Sequence, residues 1–179
     1  VIDWPKMILG VDPGATTGLF AAWWKPGEIV TTPLQLPAAE VAPYVHMHLS
    51  AEARRRGAFD FAYVAIEKYV ITARTAKLTQ QPEALEVTGA VKAAMSIAGM
   101  DAAARVRQYL KANIPFASDD ALKAAGWYTP GAPHANDAAR QAFALLKDVD
   151  YPMWRTAAAG GMMESEDDDR GDDECRSSN

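Results

Sequence analysis

The 179 residues carry a formal net charge of −5, with 49% hydrophobic and 23% charged side chains. That is the balance of a globular protein, and the length suits one domain with a proper core rather than two large ones. No apolar run reaches the roughly 18 to 20 residues that cross a bilayer. Nothing near the N-terminus marks secretion, and the single cysteine, Cys175, allows neither an intrachain disulfide nor a multi-cysteine zinc site. The expectation is a cytoplasmic protein.

Met7 to Asp12 is a short apolar run ending in an acid. A Pro13-Gly14 turn follows, and the next apolar run, Gly18 to Trp23, reads as an antiparallel partner strand. Glu28 to Leu36 is a candidate third strand. Pro37 opens a helix from Ala38 to about Arg56, with Val41, Val45 and Leu49 at spacing four, and Gly57 stops it. Phe59 to Val70 is rich in aromatic and β-branched residues and reads as a buried strand carrying Glu67 near its end. A helix is expected from Gln80 to about Met100, its apolar side marked by Leu85, Val87, Val91, Met95 and Ile97.

Arg105 to Leu110 reads as a short strand. Ser118 caps a short helix that ends near Gly126. Tyr128 to Pro133 is a loop. A last helix starts at Asn136-Asp137 and ends around Asp148, with Ala138, Ala142, Phe143, Leu145 and Leu146 at helical spacing. The order of elements points to an α/β fold, a mixed sheet flanked by helices.

The charge is unevenly spread. Residues 162–179 hold eight acids and two arginines, so the body, 1–161, carries a net +1. The acidic stretch cannot bury apolar surface, which divides the chain into a folded domain over 1–155 and a disordered acidic tail over 156–179. The tail reads as a solvating segment or as a strip that competes with nucleic acid for the body. Within the body, basic residues group as Arg54-Arg55-Arg56, as Lys68, Arg74 and Lys77, and as Arg105, Arg107 and Lys111.

Asp12, Glu67 and the pair His134 and Asp137 stand out. An acid in or beside a core costs several kcal/mol unless it is paired, hydrogen-bonded or metal-bound. Two central strands can carry Asp12 and Glu67 side by side, and a helix packed on the sheet can bring Asp137 and His134, three residues apart and on one face, to the same point. Such an oxygen-rich cluster suits Mg²⁺ or Mn²⁺. Two ions about 4 Å apart can activate water and stabilise a leaving oxygen in phosphodiester cleavage. Each residue also has a plain alternative: Asp12 as a turn former, Glu67 on a solvent-facing edge strand, Asp137 as a first-turn acid and His134 as a loop residue.

The segment ILGVDPGATTG resembles the first motif of RuvC-type Holliday junction resolvases, which share the RNase H-like (retroviral integrase) fold. VAIEKY resembles their second motif, and HANDAARQAFAL resembles their last. The resemblance spans about residues 7–147. It implies a mixed five-stranded sheet, with Asp12, Glu67, His134 and Asp137 as catalytic metal ligands for two Mg²⁺ or Mn²⁺ ions. SDDALKAAG is similar to the short helix before the last motif, which makes Lys123 the candidate basic group near the scissile phosphate. Tyr69 stands in the register of the family's aromatic that unstacks bases at the junction centre. The alanine-rich sequence and acidic tail suit a phage-encoded member, placed in the host bacterial cytoplasm.

What the resemblance implies functionally is a structure-selective endonuclease that resolves four-way or other branched DNA by paired nicks, in recombination and repair. Its partners would be junction DNA and a second copy of itself, with no membrane and no small-molecule cofactor. The Gln80–Met100 helix, through Leu85, Met95 and Ile97, would form much of the homodimer interface. Lys68, Arg74 and Lys77, and next Arg105, Arg107 and Lys111, are the candidate phosphate contacts. Three rivals stand beside it. One is a broader flap or fork nuclease of the same fold. Another is a non-catalytic junction-binding protein. The third follows from VDPGATTG, which also resembles the phosphate-binding turn of actin-like kinases, although the chain lacks their second lobe.

Overall fold

A computed structural model describes residues 7–25, 28–56, 62–70 and 82–149. Five strands form one mixed sheet: β1 (Met7–Asp12), β2 (Thr16–Lys25), β3 (Glu28–Pro37), β4 (Ala62–Glu67) and β5 (Val106–Tyr109). Their order across the sheet is β3-β2-β1-β4-β5. β1 pairs antiparallel with β2 and β2 antiparallel with β3, while β1, β4 and β5 run parallel. The helices are α1 (Ala38–Arg56), α2 (Pro82–Ile97), the short α3 (Ala102–Arg105), α4 (Asp119–Ala124) and α5 (Pro133–Asp148), with a 3-10 turn at Lys111–Asn113. This is the α/β architecture expected from the sequence, a mixed five-stranded sheet flanked by helices.

Alternation along the strands builds two cores. Met7, Leu9 and Val11 of β1 and Val64 and Ile66 of β4 face α1 and α2, where they meet Val41, Val45, Val87, Val91 and Met95. Ile8 of β1 and Ala65 of β4 face the other way, against Ala138, Ala142, Phe143, Leu145 and Leu146 of α5. Parity then decides where the acids point. Asp12 follows Ile8 and Gly10 onto the α5 side, and Glu67 follows Tyr63 and Ala65 there.

α5 lies unusually close to the sheet. A Cβ added at Gly10 would sit 2.0 Å from the Ala138 carbonyl oxygen, and one added at Gly18 would sit 1.8 Å from the His134 carbonyl oxygen. Only bare backbone fits at these two positions, so the glycines set the depth at which the helix rests. The buried alanines of α5 complete that flat contact.

Several boundaries differ from the expected ones. β4 is shorter than the 59–70 run. Residues 57–61 lie outside the described residues, and with them the expected stop at Gly57. α3 was not foreseen. Its signal is Asp101, whose carboxylate accepts from the Ala103 and Ala104 backbone N–H groups. α5 begins at Pro133, three residues earlier than expected, with proline at the first helical turn. On α2, Val87, Val91 and Met95 are buried as expected, but Leu85 and Ile97 are 50% and 73% exposed. The buried face is completed by Ala84 and Ala94 instead.

Candidate active site

β1 and β4 are adjacent and parallel, with Val11 opposite Ile66, so Asp12 and Glu67 emerge side by side at the carboxyl ends of two central strands. β4 lies between β1 and β5 and is no edge strand, which removes the solvent-facing reading of Glu67. The turn after Asp12 is tied by Thr17: its hydroxyl donates to the Gly14 carbonyl at 2.9 Å and accepts from the Gly14 N–H. The first turn of α5 comes down over the same point. His134 Nδ1 lies 2.9 Å from Asp12 Oδ2. One open cavity of about 570 Å³ is lined by Asp12, Glu67, His134 and Asp137, together with Pro13–Thr16, Lys68, Tyr69, Val70 and Lys111.

Electrostatics at this cavity are tense. Burial pushes the Glu67 carboxyl up to about 7, and its hydrogen bond with Asp12 and the charge of Asp12 push in the same direction. The nearby Lys111 opposes the rise. Lys111 Nζ donates to Asp137 Oδ2 at 2.5 Å. Arg140, one turn further along α5, donates through Nη1 to Asp137 Oδ1 and through Nη2 to Asp119 Oδ1.

The helix end that delivers His134 is held from outside its own segment. Ala132, its N-cap, supplies no side-chain bond. Instead Gln35 Oε1 of β3 accepts from the His134 backbone N–H at 3.0 Å. The buried Asn136 side chain bonds both backbone groups of Thr129, accepting from its N–H at 2.8 Å and donating to its carbonyl at 2.9 Å. The preceding loop is thereby pinned to the helix.

The donor set fits a hard divalent cation, with three carboxylates and one imidazole at a single cavity. These side chains pair with one another and with Lys111 and Arg140. Among the described residues no three of them form a common coordination cluster. The chemistry of the site therefore fits, while Asp137 is engaged by two cationic side chains.

The other expected residues are spread. Lys68 and Tyr69 line the cavity, as does Val70. Lys111, expected as a phosphate contact, lines the cavity and bonds Asp137. Lys123, the expected basic group of the site, does not line the cavity. Its ammonium pairs with Asp120 at 3.5 Å and lies 5.1 Å from the Tyr128 ring, because α4 turns that face outward. Arg105 stacks 5.5 Å over the Tyr63 ring. Arg107 is exposed and lines a separate shallow groove with Lys92 and Gln108. Arg74, Lys77 and the acidic tail over 156–179 lie outside the described residues, as do the side chains of Arg54, Arg55 and Arg56. Arg140, Gln35, Gly10 and Gly18 were not singled out from sequence. Arg140 was readable as an i,i+3 partner of Asp137, and Gly10 as a glycine inside an apolar strand. For Gln35 there was no local signal.

No family model and no curated protein matches the chain. Among solved structures it is similar to T. thermophilus RuvC in complex with a Holliday junction substrate, at 21% identity and a TM-score of 0.49, over 79% of this chain and 94% of that one.

Proposed function

We propose that the chain is a metal-dependent, structure-selective DNA endonuclease that nicks four-way junctions. The observation that supports this reading most is the meeting of Asp12, Glu67, His134 and Asp137, from two central strands and one helix, at a single open cavity. Burial of Glu67 and the neighbouring carboxylates of Asp12 and Asp137 raise the Glu67 carboxyl, a cost that a cation would relieve.

In this reading Asp12, Glu67, His134 and Asp137 hold Mg²⁺ or Mn²⁺. When bound, the ions supply an activated water and charge at the departing 3′ oxygen. The chain's own residues do the rest. Asp12 orients His134 through the Nδ1 contact. Lys111 places its ammonium beside Asp137, where it can neutralise a phosphate oxygen. Lys68, exposed at the rim, offers a second phosphate contact, and Tyr69 an aromatic face for an unpaired base. A homodimer would present two such cavities to a nearly two-fold junction. Leu85 and Ile97 on α2 are exposed and accessible to a second copy, whereas Met95 is buried in the protein's own core.

The test is a labelled synthetic four-way junction incubated with and without Mg²⁺ or Mn²⁺, with nicks mapped on every strand. Paired, symmetric, metal-dependent nicks are expected. Equal cutting of flaps and forks would favour a broad branch nuclease, and binding without nicks in Mn²⁺ would leave a junction-binding protein.

A further inference from the structure

Asp137 differs from the other acids of the site in having each oxygen held by a different cation. Oδ2 takes Lys111, which lines the cavity and whose side chain is 54% exposed. Oδ1 takes Arg140, whose side chain is only 21% exposed. Arg140 does not line the cavity and is fastened from its other side by Asp119, the first residue of α4. α4 is itself started by Ser118, whose hydroxyl accepts from the Ala121 N–H. The series Asp119–Arg140–Asp137–Lys111 thus runs from a half-buried strut to an exposed, exchangeable end.

These contacts are unequal in kind. Guanidinium is planar, permanently charged and able to hold two carboxylates in a fixed orientation, while an exposed lysine ammonium moves freely on its stem. A cation entering the cavity on the side that Lys111 lines would share Oδ2 with Lys111, while Oδ1 stays with Arg140.

The geometry points to Arg140 as a positioning residue, braced by Asp119, that locks the Asp137 carboxylate so that Oδ2 is the single oxygen it offers to the cavity. This rests on the metal-dependent reading of the site. It goes beyond that reading by giving Asp137 one donor oxygen and by making α4 part of the support. Partners that orient a ligating carboxylate commonly change metal affinity about 10- to 100-fold when removed. Arg140→Gln and Asp119→Asn are therefore expected to act in the same direction, since each breaks the same brace.

The experiment is calorimetric titration of the full chain with Mn²⁺ alone, for the parent, Arg140→Gln, Arg140→Lys and Asp119→Asn. Thermal unfolding in chelator confirms that each is folded, and junction binding is measured by gel shift in chelator. The expected result is about a tenfold or greater loss of Mn²⁺ affinity in Arg140→Gln, a smaller loss in Asp119→Asn, and only partial recovery in Arg140→Lys because the planar fork is missing. Junction binding in chelator should stay at the parent level. Unchanged or tighter Mn²⁺ binding in Arg140→Gln would overturn the inference, because Arg140 would then be only a competing charge. If Arg140→Gln does not fold, Asp119→Asn decides by the same criterion. Absence of Mn²⁺ binding in the parent would instead defeat the metal-dependent reading itself.

Discussion

His134 and Asp12, 122 residues apart in the chain, meet with Nδ1 2.9 Å from Oδ2 across the junction of α5 and β1. Neither residue could arrange this contact locally. It exists because Gly10 and Gly18 let the helix rest on bare strand backbone. The consequences can be measured one at a time.

Removing a single carboxylate should stop cutting without stopping binding. Charge stabilisation by a bound ion is worth several kcal/mol in such reactions, so Asp12→Asn and Asp137→Asn should each slow junction cleavage by about 10²-fold or more. Gel-shift affinity for the same junction should remain near the parent value. Parent-like cleavage by Asp12→Asn in Mg²⁺ would remove Asp12 from the reaction.

The two lysines can be told apart. Lys111 sits on Asp137, so Lys111→Ala should reduce single-turnover cleavage by about 10²-fold, the scale of losing one preorganised positive contact. Lys123→Ala should cut at close to the parent rate, since its ammonium serves Asp120 and Tyr128. The reverse ranking would restore Lys123 to the site.

Glu67 makes stability depend on pH. Its carboxyl titrates near 7 in the fold, above its ordinary 4.5, chiefly because it is buried and next to Asp12. The folded state therefore holds a proton that the unfolded chain has released. The associated stability is complete below about pH 4.5 and disappears as pH rises through 7. In chelator, the melting temperature should fall from pH 5 to pH 8, and Glu67→Gln should flatten that fall. Mn²⁺ added at pH 8 should raise the parent's melting temperature more than that of Glu67→Gln. Identical pH slopes for parent and variant would contradict this.

Glycines at different places should respond with opposite sign. Gly10→Ala and Gly18→Ala force a methyl into the backbone of α5, and overpacking of this kind costs about 1–3 kcal/mol. Gly18→Ala should also lower cleavage, because the atom it strikes is the carbonyl of His134. Gly89 lies inside α2 with nothing within 4 Å of an added Cβ. There, alanine should stabilise by about 0.5–1 kcal/mol. Urea midpoints for the three variants give the answer.

The pinned loop before α5 offers a stability test away from the charges. Asn136 is buried and satisfies both backbone groups of Thr129. Asn136→Ala leaves those groups without partners and should cost about 1–3 kcal/mol. A change within experimental error in the urea midpoint would show that water replaces the amide there.

Much of this architecture was legible in the chain itself. The short apolar run from Met7 to Val11, the aromatic and β-branched run before Glu67, and the helical spacing of Ala138, Ala142 and Phe143 are local patterns, and local patterns survive folding. The same holds for the acids, since a carboxylate ending an apolar strand is costly unless something answers it. The three-residue spacing of His134 and Asp137 was enough to put them on one helix face. Long-range choices left no such trace. Whether Lys111 or Lys123 reached Asp137 depended on the direction in which α4 turned, and a lysine reads the same in either place. Gln35 became the cap of a helix 99 residues away only through the placement of β3 beside β2. Leu85 and Ile97 obey helical spacing almost as well as Val87 and Val91, yet α2 turns them outward, because the packing of α1 and the sheet selects one face and periodicity alone does not name it.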